Sequence, residues 1–131
     1  MGRTLVVDDS PTMRRMVIAS LRDVCPGGFS EAASGLEAIE QLALGPVELM
    51  VLDLNMPDMH GIEVLKFVRG QAGLRSLPII VLTTRGDDAS RGAAMTAGAS
   101  LYLTKPFTPN LLAGSARTLL DRSQEESANG G

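Results

Sequence analysis

The sequence predicts an α/β domain built around a parallel β-sheet. Short apolar runs alternate with longer amphipathic segments along nearly the whole chain, as in consecutive βαβ units. The run over 49–52 is apolar at every position, which is typical of a central strand covered by helices on both faces. The 131 residues suffice for one core, which must be aliphatic because the chain has three Phe, one Tyr and no Trp.

The first strand and helix are predicted before Pro26. Residues 4–7 form an apolar run that stops at Asp8. Ser10 is predicted to cap the following helix, with Pro11 at the first helical position, where its missing N–H costs nothing. Apolar side chains then recur at helical spacing: Met13, Met16, Val17, Leu21 and Val24.

The same order is repeated in the next segment. A weak strand over 29–33 leads to Ser34 and Glu37, which form an S-x-x-E capping box at the start of a second helix. The helix ends at the Gly-Pro pair of 45–46, and the apolar strand over 49–52 follows.

The remaining elements follow the same logic. A helix over 62–69 precedes a strand over 79–82. The segment 86–98 is expected to be a weak, mobile helix, because each interior glycine costs about 1 kcal/mol relative to Ala. A strand over 101–103 and a helix that begins at 108–109 complete the domain. We therefore expect one domain.

The domain is assigned to residues 1–121. Residues 122–131 have no apolar periodicity, so we predict a disordered polar tail there. The length leaves little room for a second, output domain, and output is expected to come from contact with another protein.

Composition argues against several classes of protein. The net charge of -3 and the 3% aromatic content disfavour a nucleic-acid surface. Cys25 is the only cysteine, which excludes an internal disulfide framework and fits a reducing compartment. No apolar run approaches the length needed to cross a bilayer. We expect a cytoplasmic monomer with no membrane or nucleic-acid partner.

Five polar or charged residues share one kind of position, at the ends of the predicted strands. They are Asp8 and Asp9, Asp53, Thr83 and Lys105. Carboxyl ends of parallel strands share one edge of the sheet, so these side chains should converge. Three carboxylates repel each other unless a cation joins them, and an oxygen-only set favours Mg²⁺, or Mn²⁺, over zinc. An ammonium and a hydroxyl beside that metal could stabilise a phosphoryl group in transfer.

Taken singly, each of these residues has an ordinary explanation. The Asp8-Asp9 pair could be the first-turn acids of a helix, and Asp53 could be a turn residue. The ordered set at successive strand ends makes a common site the better interpretation. His60 is expected to be a loop residue, because no partner ligands lie near it in the sequence.

With these motifs the sequence resembles the receiver domains of two-component response regulators, specifically the stand-alone chemotaxis type. The resemblance spans residues 3–121 and implies a flavodoxin-like (βα)5 fold, a doubly wound five-stranded parallel sheet of order 2-1-3-4-5. The run Thr12–Arg15 favours the chemotaxis branch. The matching segments are Val7–Ser10, Leu52–Pro57 with Gly61, Leu82–Thr84, Gly98–Ser100 with Tyr102, and Lys105–Phe107.

The resemblance implies a phosphoacceptor that assists its own phosphorylation and dephosphorylation rather than an enzyme. Asp53 would be phosphorylated by a histidine kinase and would also ligate Mg²⁺. Asp9 would bind the metal directly and Asp8 through a water, while Asn55 would contribute its backbone carbonyl.

The resemblance also implies the parts of a switch. Lys105 would pair with Asp53 before transfer and with a phosphoryl oxygen afterwards, and the Lys105–Pro106 bond would be cis. Thr83 would bond another phosphoryl oxygen, and its movement would let Tyr102 rotate inward. Asn55 and Arg85 would flank the site and tune how water reaches it. The downstream partner would be a flagellar motor switch protein.

Other functions stay open from the sequence. A non-motor phosphorelay, a phosphate sink, or a receiver excised from a longer transcriptional regulator would use the same site. A haloacid dehalogenase-type phosphatase also uses an Asp nucleophile, but here Asn55 stands two residues after Asp53 and the acidic pair precedes it. An adaptor that never meets phosphate would not bind Mg²⁺.

Overall fold

The computed structural model describes the backbone of residues 2–130 and the side chains of residues 2–123. Five strands alternate with five helices, as the sequence predicted, and a short 3₁₀ helix over Ala72–Leu74 precedes the fourth strand. The strands are β1 (Arg3–Val7), β2 (Phe29–Ala32), β3 (Val47–Leu52), β4 (Ile79–Thr83) and β5 (Leu101–Thr104). The helices are α1 (Pro11–Leu21), α2 (Gly35–Ala43), α3 (Gly61–Gly70), α4 (Asp88–Ala97) and α5 (Pro109–Gly130).

The five strands form one parallel sheet. Their order is β2-β1-β3-β4-β5, which confirms the doubly wound, flavodoxin-like topology. Strand β3 lies in the centre, where Leu5 pairs with Met50 on one side and Ile80 pairs with Val51 on the other. Because every strand runs the same way, all five carboxyl ends lie at one edge of the sheet.

The core has two layers, one on each face of the sheet. Strand β3 divides its side chains between them, with Met50 and Leu52 in one layer and Leu49 and Val51 in the other. The first layer packs against α2, α3 and α4, and the second against α1 and α5. Among the described buried residues of both layers Tyr102 is the one aromatic side chain, and the others are aliphatic apart from Cys25 and Met50, as the composition predicted.

The helix starts follow the predicted capping residues in two cases. Ser10 Oγ accepts from the backbone N–H of Met13 at 3.2 Å. Ser34 Oγ accepts from the N–H of Glu37, also at 3.2 Å. The third cap was not foreseen: Asp87 accepts from the N–H of Ser90 at 2.9 Å and sets the start of α4.

Arg69 holds the opposite, amino-terminal edge of the sheet. Its Nε donates to the carbonyl of Gly98 at 2.9 Å, beside the start of β5. Its NH1 donates to the carbonyl of Leu77 at 2.7 Å, just before β4, and to the carbonyls of Leu74 and Arg75. The guanidinium thus donates to four backbone carbonyls in the segments that lead into β4 and β5.

The backbone of α5 is helical as far as Gly130, so α5 includes most of the segment 122–131 for which the sequence predicted a disordered tail. The side chains of residues 124–130 and the whole of residue 131 lie outside the described residues, and the disorder of this segment stays a prediction. The expected mobility of α4 also stays a prediction. In the part of the chain that the structure describes, no helix is long and apolar enough to cross a membrane.

Gly61 allows α3 to begin in close contact with the backbone of Asp53 and Leu54. A Cβ at Gly61 would lie 2.7 Å from the carbonyl oxygen of Asp53 and from the Cα of Leu54, which is closer than non-bonded atoms approach. The N–H of Gly61 donates to the carbonyl of Leu54 and closes the loop. The glycine is therefore required by close backbone approach.

We predict that Gly61→Ala lowers the free energy of unfolding by about 1–3 kcal/mol, as overpacking does. Gly114→Ala is the matched control, because a Cβ there meets nothing within 4 Å. That variant should gain about 0.5–1 kcal/mol from helix propensity. Urea unfolding followed by circular dichroism measures both, and equal stability of the two variants would contradict the close approach.

Candidate functional site

The predicted site residues meet at the carboxyl edge of the sheet. Asp8 follows β1, Asp53 follows β3, and Lys105 follows β5. Thr83 is the last residue of β4, and the N–H of Lys105 donates to its carbonyl at 2.8 Å. The parallel topology therefore brings together residues that are up to 97 positions apart in the chain.

Three carboxylates form one cluster at this edge. Asp8, Asp9 and Asp53 each offer an oxygen, and these oxygens all lie within 4.8 Å of one another. Asp8 and Asp53 are only 4% and 5% exposed, whereas Asp9 is open to solvent. A hard oxygen donor set with one solvent-facing member suits Mg²⁺, which retains several waters when a protein binds it. The residues present therefore fit the ion.

Lys105 joins the two buried carboxylates. Its Nζ donates to Asp8 Oδ2 at 2.7 Å and to Asp53 Oδ2 at 3.2 Å. Burial by itself would lower the pKa of Lys105, but the hydrogen bond to Asp8 and the charges of Asp53 and Asp8 together outweigh burial and raise the pKa above 10.5. The ammonium is thus fixed in its charged form.

The contact of Lys105 with Asp8 is closer than its contact with Asp53. The resemblance implied only the pair with Asp53, and sequence reasoning gave no signal for the second. The Lys105–Pro106 peptide bond is cis, as the resemblance implied.

Thr83 and Tyr102 lie on neighbouring strands and meet at one residue, Arg85. Thr83 is fully buried, and its Oγ1 accepts from the N–H of Arg85 at 3.4 Å. Tyr102 is 4% exposed, and its hydroxyl donates to the carbonyl of Arg85 at 2.5 Å. The guanidinium of Arg91 lies over the tyrosine ring, 5.3 Å from its centroid.

The pKa of Tyr102 is raised above 10.0. Burial is the main cause, and the charge of Asp87 adds to it, while Arg91 and Arg85 oppose both. The neutral phenol is therefore the folded form at ordinary pH, and its O–H is available as a donor. The resemblance implied that Tyr102 can rotate inward, and in this structure the ring already lies in the buried core layer that packs against α4.

Asn55 lies at the mouth of the site. Its backbone N–H donates to Asp53 Oδ1 at 3.2 Å, which holds the loop against the buried carboxylate. Its side chain reaches the β4–α4 loop, where it accepts from Arg85 Nε at 2.5 Å and donates to Thr84 Oγ1 at 3.3 Å. The resemblance implied that Asn55 and Arg85 flank the site but did not imply that they bond each other.

Asp58 fastens the other end of the same loop. Its carboxylate accepts from the N–H groups of Gly35 and Leu36, at 3.1 and 3.0 Å, in the first turn of α2. The pKa of Asp58 is lowered because backbone N–H groups, that of Leu36 first, stabilise its anion. The Ser34 cap gave no hint of a second, distant cap from residue 58.

His60 acts as a capping residue. Its Nδ1 accepts from the N–H of Ile62 at 3.2 Å, at the start of α3. It is not one of the residues that form the acidic cluster. The interpretation of His60 as a structural loop residue is therefore consistent with the geometry.

Comparisons with known proteins agree on one family. The family model of the response regulator receiver domain matches residues 4–117. The chemotaxis protein CheY1 of Helicobacter pylori is 40% identical over 111 residues, which are 84% of this chain and 90% of that protein. The chemotaxis protein CheY homologue of Campylobacter jejuni is 38% identical over 127 residues, covering 96% of this chain and 98% of that protein.

A solved structure gives the same result. The chemotaxis response regulator CheY4 of Vibrio cholerae superposes with a TM-score of 0.81 at 34% identity. The match covers 91% of this chain and 98% of that one. Sequence and fold comparisons therefore converge over almost the whole chain.

We predict that Mg²⁺ stabilises the protein through the acidic cluster. At about 100 times its Kd, the ion should raise the free energy of unfolding by about 2.7 kcal/mol. Asp9→Asn should weaken Mg²⁺ binding at least ten-fold, roughly the least that removing even an outer-shell partner usually costs. Asp88→Asn is the control for loss of one exposed carboxylate. Urea midpoints measured across a Mg²⁺ titration test this, and an unchanged response of Asp9→Asn would contradict the assignment.

The Lys105 pKa predicts a loss of stability in alkali. A raised folded-state pKa means that the native state binds more protons, so its contribution is complete below 10.5 and is lost as pH rises through the folded value. Within that window the slope should be up to about 1.4 kcal/mol per pH unit. Lys105→Met should be less stable at neutral pH and should lack this part of the slope. Identical alkaline slopes for the two proteins in urea unfolding would refute it.

Proposed function

Because the chain belongs to the response regulator receiver domain family, we propose that it is a phosphorylation-activated switch that accepts a phosphoryl group on Asp53 from a histidine kinase. The observation that carries the proposal is the position of the Asp53 carboxylate. It is buried, it lies beside two further carboxylates, and its Oδ2 is 3.2 Å from the Lys105 ammonium.

The proposed transfer uses Asp53 as nucleophile. A carboxylate oxygen of Asp53 forms a bond to phosphorus while the bond from phosphorus to the kinase imidazole nitrogen breaks, and the electron pair stays with the imidazole. The Lys105 ammonium contacts the Asp53 carboxylate before the transfer and a phosphoryl oxygen after it. The Thr83 hydroxyl donates to another phosphoryl oxygen. The phosphorylated residue, Asp53, is part of the domain itself. The domain therefore assists its own phosphorylation and dephosphorylation and does not turn over a separate substrate.

The metal proposed for this site is Mg²⁺, and Mn²⁺ meets the same oxygen chemistry. It would be held by Asp8, Asp9 and Asp53 together with the backbone carbonyl of Asn55, Asp9 binding directly and Asp8 through water. The bound ion supplies positive charge that offsets the negative charge accumulating on the phosphoryl oxygens.

The proposed switch runs from Thr83 to Tyr102. A phosphoryl group adds about -1.5 to -2 charge at neutral pH. If Thr83 Oγ1 turns to bond it, the acceptor that now receives the N–H of Arg85 is withdrawn, and the loop that bonds the Tyr102 hydroxyl is free to shift. Tyr102 lies on β5 beside α4, so the surface formed by α4, β5 and α5 would change with it.

The proposed downstream partner is a flagellar motor switch protein, since the two relatives compared above carry chemotaxis names. The region around the start of α4 carries charges of both signs rather than a strongly basic surface: Arg85, Asp87, Asp88 and Arg91. Three of these charges make contacts within the domain, since Asp87 caps α4, Arg85 bonds Asn55 and Arg91 covers Tyr102. Asp88 is exposed. A non-motor phosphorelay or a phosphate sink would share the same chemistry.

A cytoplasmic, monomeric state is proposed with this function. A histidine kinase partner and Mg²⁺-dependent chemistry both suit the reducing compartment that Cys25, a buried free thiol, is consistent with. Neither nucleic acid nor membrane is required as a partner.

We predict that Asp53→Asn abolishes incorporation of labelled phosphate from acetyl phosphate or from a phosphorylated histidine kinase. The amide that replaces the carboxylate is not a nucleophile, although it is nearly isosteric. Asp88→Asn should incorporate label as the wild type does. Mg²⁺-dependent labelling that persists in Asp53→Asn would sink the assignment, and hydrolysis of small phosphate esters faster than about one per second would indicate a phosphatase instead.

A further inference from the structure

Arg85 contacts three residues of the site through three different groups. Its side-chain Nε donates to Asn55 Oδ1 at 2.5 Å. Its backbone N–H donates to Thr83 Oγ1 at 3.4 Å, and its carbonyl accepts from the Tyr102 hydroxyl at 2.5 Å. A single exposed residue thus connects the β3–α3 loop, the end of β4 and the ring on β5.

The β3–α3 loop is held at both of its ends. Near β3, the N–H of Asn55 donates to Asp53 Oδ1, and further along Asp58 accepts from the first turn of α2. With its backbone fixed in this way, Asn55 directs both ends of its side-chain amide at the β4–α4 loop, toward Arg85 and Thr84. A change in the backbone at residue 55 is therefore transmitted to residue 85.

We propose that Arg85 is a positioning residue that couples occupation of the metal site to Tyr102, through its hydrogen bond to Asn55. The inference rests on the proposed function, in which the carbonyl of Asn55 contributes to the Mg²⁺ site. Ordering of residue 55 fixes the Asn55 side chain, the side chain fixes Arg85, and the Arg85 carbonyl fixes the Tyr102 hydroxyl. Mg²⁺ alone, without phosphate, then alters the environment of Tyr102.

Charge and hydrogen bonding must be separated, because a guanidinium near three carboxylates also weakens cation binding through space. A double-mutant cycle on Asn55 and Arg85 does this. Arg85→Ala removes the through-space effect of the guanidinium charge by the same amount whether residue 55 is Asn or Ala. This effect therefore cancels from the coupling energy between residues 55 and 85. Asn55→Ala retains the backbone carbonyl, so the proposed metal ligand survives.

The chain carries its own probe of Tyr102. It contains one Tyr and no Trp, so ultraviolet fluorescence excited at the phenol reports this ring without interference from tryptophan. The experiment titrates Mg²⁺ into the wild type, Asn55→Ala, Arg85→Ala and the double variant. It records tyrosine fluorescence and, separately, the urea midpoint, which measures Mg²⁺ binding. Arg117→Ala on α5 is the control for loss of one exposed cation.

Wild type and Arg117→Ala should show a Mg²⁺-dependent change in tyrosine fluorescence. In Arg85→Ala the change should fall at least about three-fold, the effect of one net hydrogen bond, while Mg²⁺ still raises the urea midpoint. Asn55→Ala should lose as much, and the double variant should lose no more than either single variant.

Two results would overturn the coupling, and they are distinguishable. If Mg²⁺ raises the urea midpoint but the fluorescence response is unchanged in Arg85→Ala, or the two substitutions act additively, Arg85 does not couple the sites and the proposed function stands. If Mg²⁺ shifts neither midpoint nor fluorescence in the wild type, the metal site and the coupling fail together.

Discussion

The structure of the site depends on one electrostatic constraint, which is that two carboxylates are buried side by side at the end of the sheet. Asp8 and Asp53 are each about one-twentieth exposed, and burying a carboxylate charge without a partner is costly. The Lys105 ammonium contacts both, at 2.7 and 3.2 Å. Removing one partner of such a buried group typically costs about 3–5 kcal/mol, so the three side chains fix each other's positions.

The parallel sheet meets that constraint, because it places the carboxyl ends of β1, β3 and β5 at one edge. Asp8, Asp53 and Lys105 follow β1, β3 and β5, and only an arrangement with all carboxyl ends at one edge brings them within contact distance. Strand β4 separates β3 from β5, so Lys105 must reach across it. The hydrogen bond from the Lys105 N–H to the Thr83 carbonyl holds the Lys105 backbone beside the end of β4, from where its side chain reaches both carboxylates.

The sequence was sufficient for features encoded locally or by strand ends. Apolar runs predicted four of the five strands, and the less apolar segment 29–33 was predicted as a weak strand, which is β2. Ser10 and Ser34 predicted two helix starts, because caps act within one turn. The sheet order and the cis bond at Lys105–Pro106 came from family resemblance, since periodicity does not encode strand neighbours and a cis isomer is the minority form.

The missed features are contacts between side chains and distant backbone. Asp58 caps α2 from 22 or 23 positions away, and Arg69 bonds the carbonyl of Gly98 from 29 positions away. Nothing in the spacing of an exposed acid or a last-turn arginine distinguishes these roles from a solvated side chain. Asp87 lies between these two cases. It caps α4 locally, but the adjoining Gly86 and Asp88 made the start of that helix hard to locate in the sequence.

These long-range contacts give the two edges of the sheet different mechanical properties. At the amino-terminal edge, Arg69 binds carbonyls that precede both β4 and β5, and Gly98 lies so close that a Cβ there would be 2.5 Å from the arginine side chain. At the carboxyl edge, the β4–α4 loop is exposed; two hydrogen bonds with the Asn55 side chain and one from the Tyr102 hydroxyl hold it. Helix α4 is therefore anchored firmly at its carboxyl end and lightly at its start. In the switch proposed above, a change of charge at Asp53 would act on the lightly held end, where a few hydrogen bonds set the position of the loop, and the core layers and the opposite edge would keep their packing.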